Sequence, residues 1–199
     1  MKVSIVKYNA GNIFSVINAV KRLGIEPLWT DDPEELRTSD RVIFPGQGEA
    51  SHAMAYLRER GLDRVIAQLK NPVLGICIGQ QLLCQHSEEG DTDCIGVFPI
   101  QVKRFQPLRH EDKVPCMGWQ ELKLKGDSPL FKELGEKTFV YFVHSFYCEK
   151  CENTIAEADY ILPYSAALQK DNFYATQFHP EKSGSIGHKI LENFINLPK

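Results

Sequence analysis

The sequence lacks the features that would mark it for a membrane or for nucleic acid. No apolar run approaches the roughly 20 residues needed to cross a bilayer. The N-terminal MKVSIVKYN is cut at Lys7, too early for a signal-peptide core, and reads as a first strand. Basic residues are scattered rather than clustered, 23 Lys and Arg against 26 Asp and Glu for a formal net charge of −3, so charge gives no reason to expect a nucleic-acid or anionic-membrane partner. Internal repeats, low-complexity tracts and a clear linker are also missing, which leaves residues 1–199 as one domain with one core. Six cysteines (77, 84, 94, 116, 148 and 151) in a chain able to bury its own core read as reduced thiols rather than a disulfide framework, so the expected location is the cytoplasm.

What is present alternates. VSIV precedes apolar positions 13, 16, 17, 20 and 23 at helical spacing, with Gly24 as the stop. EPLWT and RVIFPG read as two more strands. Residues 52–70 are helical in character with a break at Gly61, and NPVLGIC gives a buried strand before a helix expected over 79–86. Strands alternating with helices imply an α/β fold of three layers, αβα, around a mostly parallel open sheet. Beyond Cys94 the chain becomes strand-rich (IGVFPIQVKRF, GWQELKL, TFVYFVHSFY, TIAEADY, SAALQKD, NFYATQFH) and closes with a helix over 185–196.

Within PVLGICIGQQ, Cys77 stands between Gly75 and Gly79 where the strand turns into a helix, the place where doubly wound sheets present a nucleophile. The flanking glycines are expected to permit unusual backbone angles and close approach of a substrate, the helix N-terminus to favour a thiolate, and the Ile78 N–H to receive developing oxyanion charge. A structural cysteine with glycines needed for tight packing is the plain alternative. TQFHPEKS supplies a base: Pro180 biases His179 toward an extended conformation, and Glu181 two residues on is expected beside the ring. Cys77, His179 and Glu181 make the set used in nucleophilic acyl transfer.

GICIGQQLL, FPGQG and QFHPEKS together resemble the class I (triad-type) glutamine amidotransferases along nearly the whole chain. Within that class YNAGN, PCMGWQ, VYFVHSFY and FHPEKSGSIG are most similar to glutaminase subunits of imidazole glycerol phosphate synthases. The resemblance implies glutamine as substrate, attack by Cys77, proton transfer by His179 and orientation of His179 by Glu181. It further implies oxyanion and substrate contacts from Gly46, Gln47, Gly48 and Ile78, and a hold on the glutamine α-groups by Gln81, Glu89 and Ser145. Met117, Gly118, Trp119 and Lys182 match segments that face a partner cyclase in a heterodimer, which receives the ammonia.

Taken without the family, Glu89 in SEEGD is a solvated acid and Trp119 a core residue. Gln47, Gln80, Cys116, Gln120 and the KYNAGN segment depart from the family's usual residues, leaving room for a glutaminase that serves another ammonia acceptor, a hydrolase of another γ-glutamyl amide, or a silent binding subunit. No cofactor is implied. Cys148-Glu-Lys-Cys151 could join Cys94, Cys116 or His110 in a zinc site or redox pair, but one closely spaced pair is half of what a structural zinc site shows, so no metal is expected.

Overall fold

VSIV, RVIF, VLGI and FYAT are buried at every position in the computed structural model. Strands covered on both faces need apolar side chains on both, and apart from Ser4, Arg41 and Thr176 these four are apolar. The structure describes residues 1–9, 11, 13–135 and 137–198; Ala10 and Asn12 of YNAGN lie outside the described residues.

In chain order the first half comprises β1 (Val3–Val6), α1 (Ile13–Lys21), β2 (Leu28–Thr30), α2 (Pro33–Thr38), β3 (Arg41–Phe44), α3 (Ala50–Glu59), α4 (Leu62–Ala67), β4 (Val73–Ile76), α5 (Ile78–Leu82), β5 (Cys84–Ser87) and β6 (Thr92–Asp93). The second half comprises β7 (Phe98–Arg104), β8 (Cys116–Glu121), β9 (Lys123–Leu124), β10 (Phe139–His144), β11 (Phe146–Cys148), β12 (Thr154–Asp159), β13 (Pro163–Lys170), β14 (Phe173–Thr176) and α6 (Gly184–Ile195).

The large sheet runs β2-β1-β3-β4-β14-β13-β11-β7-β5-β6. Its first five strands are mutually parallel; the pairings β14–β13, β13–β11 and β11–β7 are antiparallel, β5 is parallel to β7, and β6 closes the edge antiparallel to β5. Alternate strand residues serve two cores. Ile5, Ile43 and Leu74 pack with Val16 and Val20 of α1 and Ile190 and Phe194 of α6. Val6, Val42, Phe44 and Val73 pack on the other face with Met54 and Leu57 of α3, Ile66 of α4 and Leu82 of α5. The expected three-layer αβα arrangement with a strand-rich second half is therefore the observed one. A separate pair, β8 with β10, stands beside it.

Two elements differ from expectation. Helix α2 is unsignalled by apolar periodicity; it starts because the Asp32 carboxylate accepts from the N–H groups of Glu34 and Glu35 while Pro33 opens the first turn. The helix expected over 79–86 ends at Leu82, and Cys84–Ser87 is a strand parallel to β7. The carbonyls of Leu82, Leu83 and Cys84 accept from Ile95, Phe98 and Gly96, so they are taken before another helical turn can use them.

Arg41, 1% exposed, ties the sheet to the end of α6. Its guanidinium donates to the carbonyls of Asp40, Phe194, Ile195 and Leu197, the last three at the C-terminal end of α6 and just beyond it.

Candidate active site

The residues expected to carry chemistry gather at the carboxyl ends of β4 and β14, adjacent parallel strands. Cys77 follows β4 and opens α5 with φ 54° and ψ −108°, a conformation strained for a residue with a side chain. Hydrogen bonds hold it there: its N–H donates to Thr176 O at 2.7 Å and its carbonyl accepts from Gln80 at 3.0 Å. The glycines play a different part from the one expected. Neither Gly75 nor Gly79 has a positive φ; a Cβ on Gly79 would lie 1.9 Å from the Phe44 carbonyl oxygen, and one on Gly75 would lie 2.9 Å from the Gly79 carbonyl. They let α5 sit against β3 and β4, and the unusual backbone angle falls on the cysteine itself. Ile78 is the first residue of α5, where an N–H has no intrahelical acceptor and is free to face a developing negative charge.

His179 lies three residues beyond β14, its N–H donating to Tyr141 O at 3.0 Å. Its backbone is extended, as Pro180 requires, but Glu181 belongs to a 3₁₀ turn over Pro180–Lys182 rather than to an extended segment. The turn brings the carboxylate beside the ring, Nδ1 to Oε1 2.8 Å. Ser183 clamps it, donating to His179 O and accepting from the Tyr141 N–H. His179 Nε2 is buried without a hydrogen-bond partner. Burial opposes the imidazolium, but a Cys77 thiolate and Glu181 outweigh it and push the His179 pKa up to about 10.

A cleft of about 480 Å³ opens over Cys77, lined also by Gln47, Gly48, Ile78, Gln81, Glu89, Ser145 and Lys182. Every oxyanion and substrate residue expected from the sequence is thus on one cavity except Gly46, which with His179 and Glu181 borders a small adjoining space. Gly46 has no room for a Cβ, which would meet the Tyr8 hydroxyl at 2.0 Å and Ile78 Cγ2 at 2.3 Å. That hydroxyl donates to Pro45 O at 2.5 Å, and Gly11 N–H donates to Gln47 O at 2.9 Å. The FPGQG loop is therefore held from β1's side of the sheet.

Glu89 is no solvated acid. It is half-buried, caps α3 by accepting from Ala50 N–H at 2.8 Å, and burial raises its pKa. Gln81 donates to Phe146 O at 3.1 Å and to Gln177 Oε1 at 3.0 Å; with both amide hydrogens engaged, Oε1 is left as its acceptor toward the cleft. Gln177 was missed in the sequence, as were Tyr141, Val143, His144 and Phe146 on the cleft wall. His144 is fully buried; desolvation lowers its pKa to about 4 against the Phe146 carbonyl, which accepts from Nδ1 at 2.7 Å.

Met117 and Trp119 on β8 are 65% and 55% exposed, so Trp119 is not the core residue its type suggests. Trp119 pairs with Tyr141 across the β8–β10 ladder and stacks edge-on to it at 6.0 Å. Gly118 between them has φ 133°, and Lys182 lines the neighbouring cleft. Among the described residues no group of three His, Cys, Asp or Glu side chains could hold a metal ion. Cys148 of the C-x-x-C motif instead packs its sulfur 3.5 Å from that of Cys84, and all six cysteines are free thiols.

A cysteine on a strained elbow, a buried imidazole oriented by a carboxylate and a cleft with donors and acceptors for an amino acid suit acyl transfer from an amide. Comparison with known proteins agrees. The family model for glutamine amidotransferase class-I matches residues 5–197. An imidazole glycerol phosphate synthase subunit HisH of Bacteroides thetaiotaomicron is 59% identical over 99% of this chain and 100% of its own, and one of Neisseria meningitidis serogroup B is 42% identical over 98% and 100%. A crystal structure of a glutamine amidotransferase superposes with a TM-score of 0.73 at 20% identity, covering 98% of this chain and 99% of that one. With the family model spanning nearly every residue and the site residues gathered at one sheet edge, the chain belongs to the class-I glutamine amidotransferase family.

Proposed function

We propose that the chain is the glutaminase subunit of an imidazole glycerol phosphate synthase, a single catalytic domain that works in the cytoplasm beside a cyclase subunit. The observation that carries this reading is the full-length similarity to subunits of that name, together with a Cys-His-Glu set at the strand ends.

In this mechanism the glutamine α-ammonium lies against Glu89 and Gln81 Oε1, and its γ-carboxamide reaches Cys77. The Cys77 thiolate attacks the amide carbon, and the oxyanion of the tetrahedral adduct is received by the Ile78 N–H and the Gly46–Gly48 loop. A His179 pKa of about 10 keeps the imidazole protonated at neutral pH, so Nε2, which has no competing partner, can give its proton to the departing nitrogen. Ammonia leaves and a thioester remains. Water then loses a proton to Nε2 and attacks the thioester, releasing glutamate and restoring the thiolate. The β8 face with Met117, Gly118 and Trp119, and Lys182 beside the cleft, would meet the cyclase, which consumes the ammonia.

The test is glutamate release from glutamine by the purified chain, alone and with the cyclase and its ribonucleotide substrate, beside Cys77→Ala. Stimulation by the cyclase that vanishes in Cys77→Ala is the expected result. Hydrolysis indifferent to the cyclase would point to another ammonia acceptor, and hydrolysis retained by Cys77→Ala would remove the mechanism.

A further inference from the structure

Gln177 is fully buried, lies between β14 and His179, and turns its side chain toward Cys77. A buried amide must satisfy two donors and an acceptor, so its placement is rarely incidental. Here the partners settle which way round it sits. The Phe146 carbonyl can only accept, so the end of Gln81 that meets it at 3.1 Å is the NH₂ group. That same NH₂ reaches Gln177 at 3.0 Å, which must therefore present its oxygen. The other end of Gln177 is then its NH₂, 3.8 Å from the Cys77 sulfur. One backbone carbonyl thus dictates, through two amides, that a hydrogen-bond donor faces the nucleophile.

The sulfur's surroundings give this donor a purpose. Val143 O, 3.9 Å away, can accept from a Cys77 thiol but repels a thiolate; the His179 imidazolium attracts that thiolate by its charge, but its Nε2 makes no hydrogen bond. The titratable groups nearby are His179, backed by Glu181, Tyr8 from the loop after β1, and Tyr141, His144, Glu89 and Lys182 on the cleft. Gln177 is the side-chain donor that does not titrate. Its N–H charge-assists a thiolate without titrating and leaves the imidazolium proton free for the leaving group.

We propose that Gln177 is a catalytic residue that donates a hydrogen bond to the Cys77 sulfur, with Gln81 and the Phe146 carbonyl as the positioning groups that orient its amide. The proposal rests on Cys77 being the nucleophile of the function given above. It assigns Gln81 a second task besides substrate contact: its NH₂ aims Gln177 while its Oε1 faces the ligand.

The decisive experiment is the pH profile of Cys77 alkylation by iodoacetamide, read by mass spectrometry of the Cys77 peptide in the full chain. Gln177→Met, similar in length but without a donor, should move the profile upward by about one pH unit, slowing alkylation by up to about tenfold on its acid side, the worth of one hydrogen bond to a charged group. Gln177→Glu, which keeps the shape and replaces the donor by an anion, should move it further. In the glutaminase assay kcat should fall more than KM rises. A folded Gln177→Met or Gln177→Glu whose alkylation profile matches the wild type would overturn the proposal. Should both variants fail to fold, Gln81→Met leaves Gln177 in place but frees its amide to turn; alkylation slowed about threefold supports the orientation argument, and an unchanged rate sinks it. Alkylation needs no glutamine, so a wild-type chain that alkylates as expected yet hydrolyses nothing would refute the proposed function and leave the hydrogen bond standing.

Discussion

Nδ1 of His179 and Oε1 of Glu181 stand 2.8 Å apart, with side chains only 2% and 3% exposed. A pair so closed to water acts as one unit. Glu181 fixes the ring's tautomer and direction, presenting Nε2 to the sulfur side, and contributes to holding the imidazolium. Glu181→Gln keeps the shape but loses the charge. It should lower kcat for glutamine hydrolysis by about 10² to 10⁴, less than loss of the nucleophile, with KM little changed. Steady-state kinetics in the presence of the cyclase measure this, and a variant with wild-type kcat would deny Glu181 its role.

Two histidines bend stability against pH in opposite senses. His144 has its pKa depressed from 6.5 to about 4, so the folded state refuses a proton that the unfolded chain accepts; its stabilisation is complete above about pH 6.5 and is lost as pH falls toward 4. The loss is on the order of 3 kcal/mol. His179 is raised to about 10, so its contribution is complete below about pH 6.5 and is lost as pH climbs toward 10. Urea unfolding at pH 4.5, 6.5 and 9.5 should show a maximum at the middle value. His144→Gln should flatten the acid side and leave the alkaline side alone; an acid limb of unchanged depth in that variant would mean other groups produce it.

Much of this site was legible because its chemistry is local. The proposed nucleophile, base and orienter each lie in a short motif, and strands buried on both faces are mostly apolar. The geometry inside those motifs was less legible. Gly75 and Gly79 were read as relaxing the backbone, whereas the nearest atoms show they make room for β3 and α5. Glu89 looked like any surface acid because its cap on α3 spans 39 residues of sequence. Gln177 sits inside TQFHPEKS yet has no titratable group to draw notice; its meaning comes from Phe146, more than 30 residues away, through Gln81. Helix and strand are equally compatible with Cys84–Ser87, and the loop before β7 decides between them.

Arg41 offers a test of the fold apart from catalysis. Its buried guanidinium answers three carbonyls of the last turn and tail of α6 and one of its own neighbour. Arg41→Met fills the volume but strands those acceptors, and should destabilise the protein by about 3 kcal/mol. Arg41→Lys should recover only part of this, since a single ammonium cannot reproduce the fork. Chemical denaturation at pH 7 measures both. A methionine variant within about 0.5 kcal/mol of wild type would mean that the carbonyls find water instead.

Trp119 is the sharpest handle on the proposed cyclase partner. Trp119 is more than half exposed, on the face of the β8–β10 ladder turned away from the core that Cys116, Val140 and Phe142 join, and with Met117 it lies opposite Tyr141 and Val143 of the cleft wall. Desolvated aromatics of this kind dominate the binding energy of interfaces. Trp119→Ala should therefore leave the unfolding midpoint of the isolated chain within error while weakening association with the cyclase by about thirtyfold, near 2 kcal/mol. Because Trp119 stacks on Tyr141, whose carbonyl holds the His179 N–H, the same substitution separates two roles for β8. Loss of affinity with full glutaminase rate at saturating cyclase would make it an anchor alone. A reduced rate even at saturation would mean that the ladder also transmits the partner's presence to the base. Unchanged affinity would move the interface elsewhere.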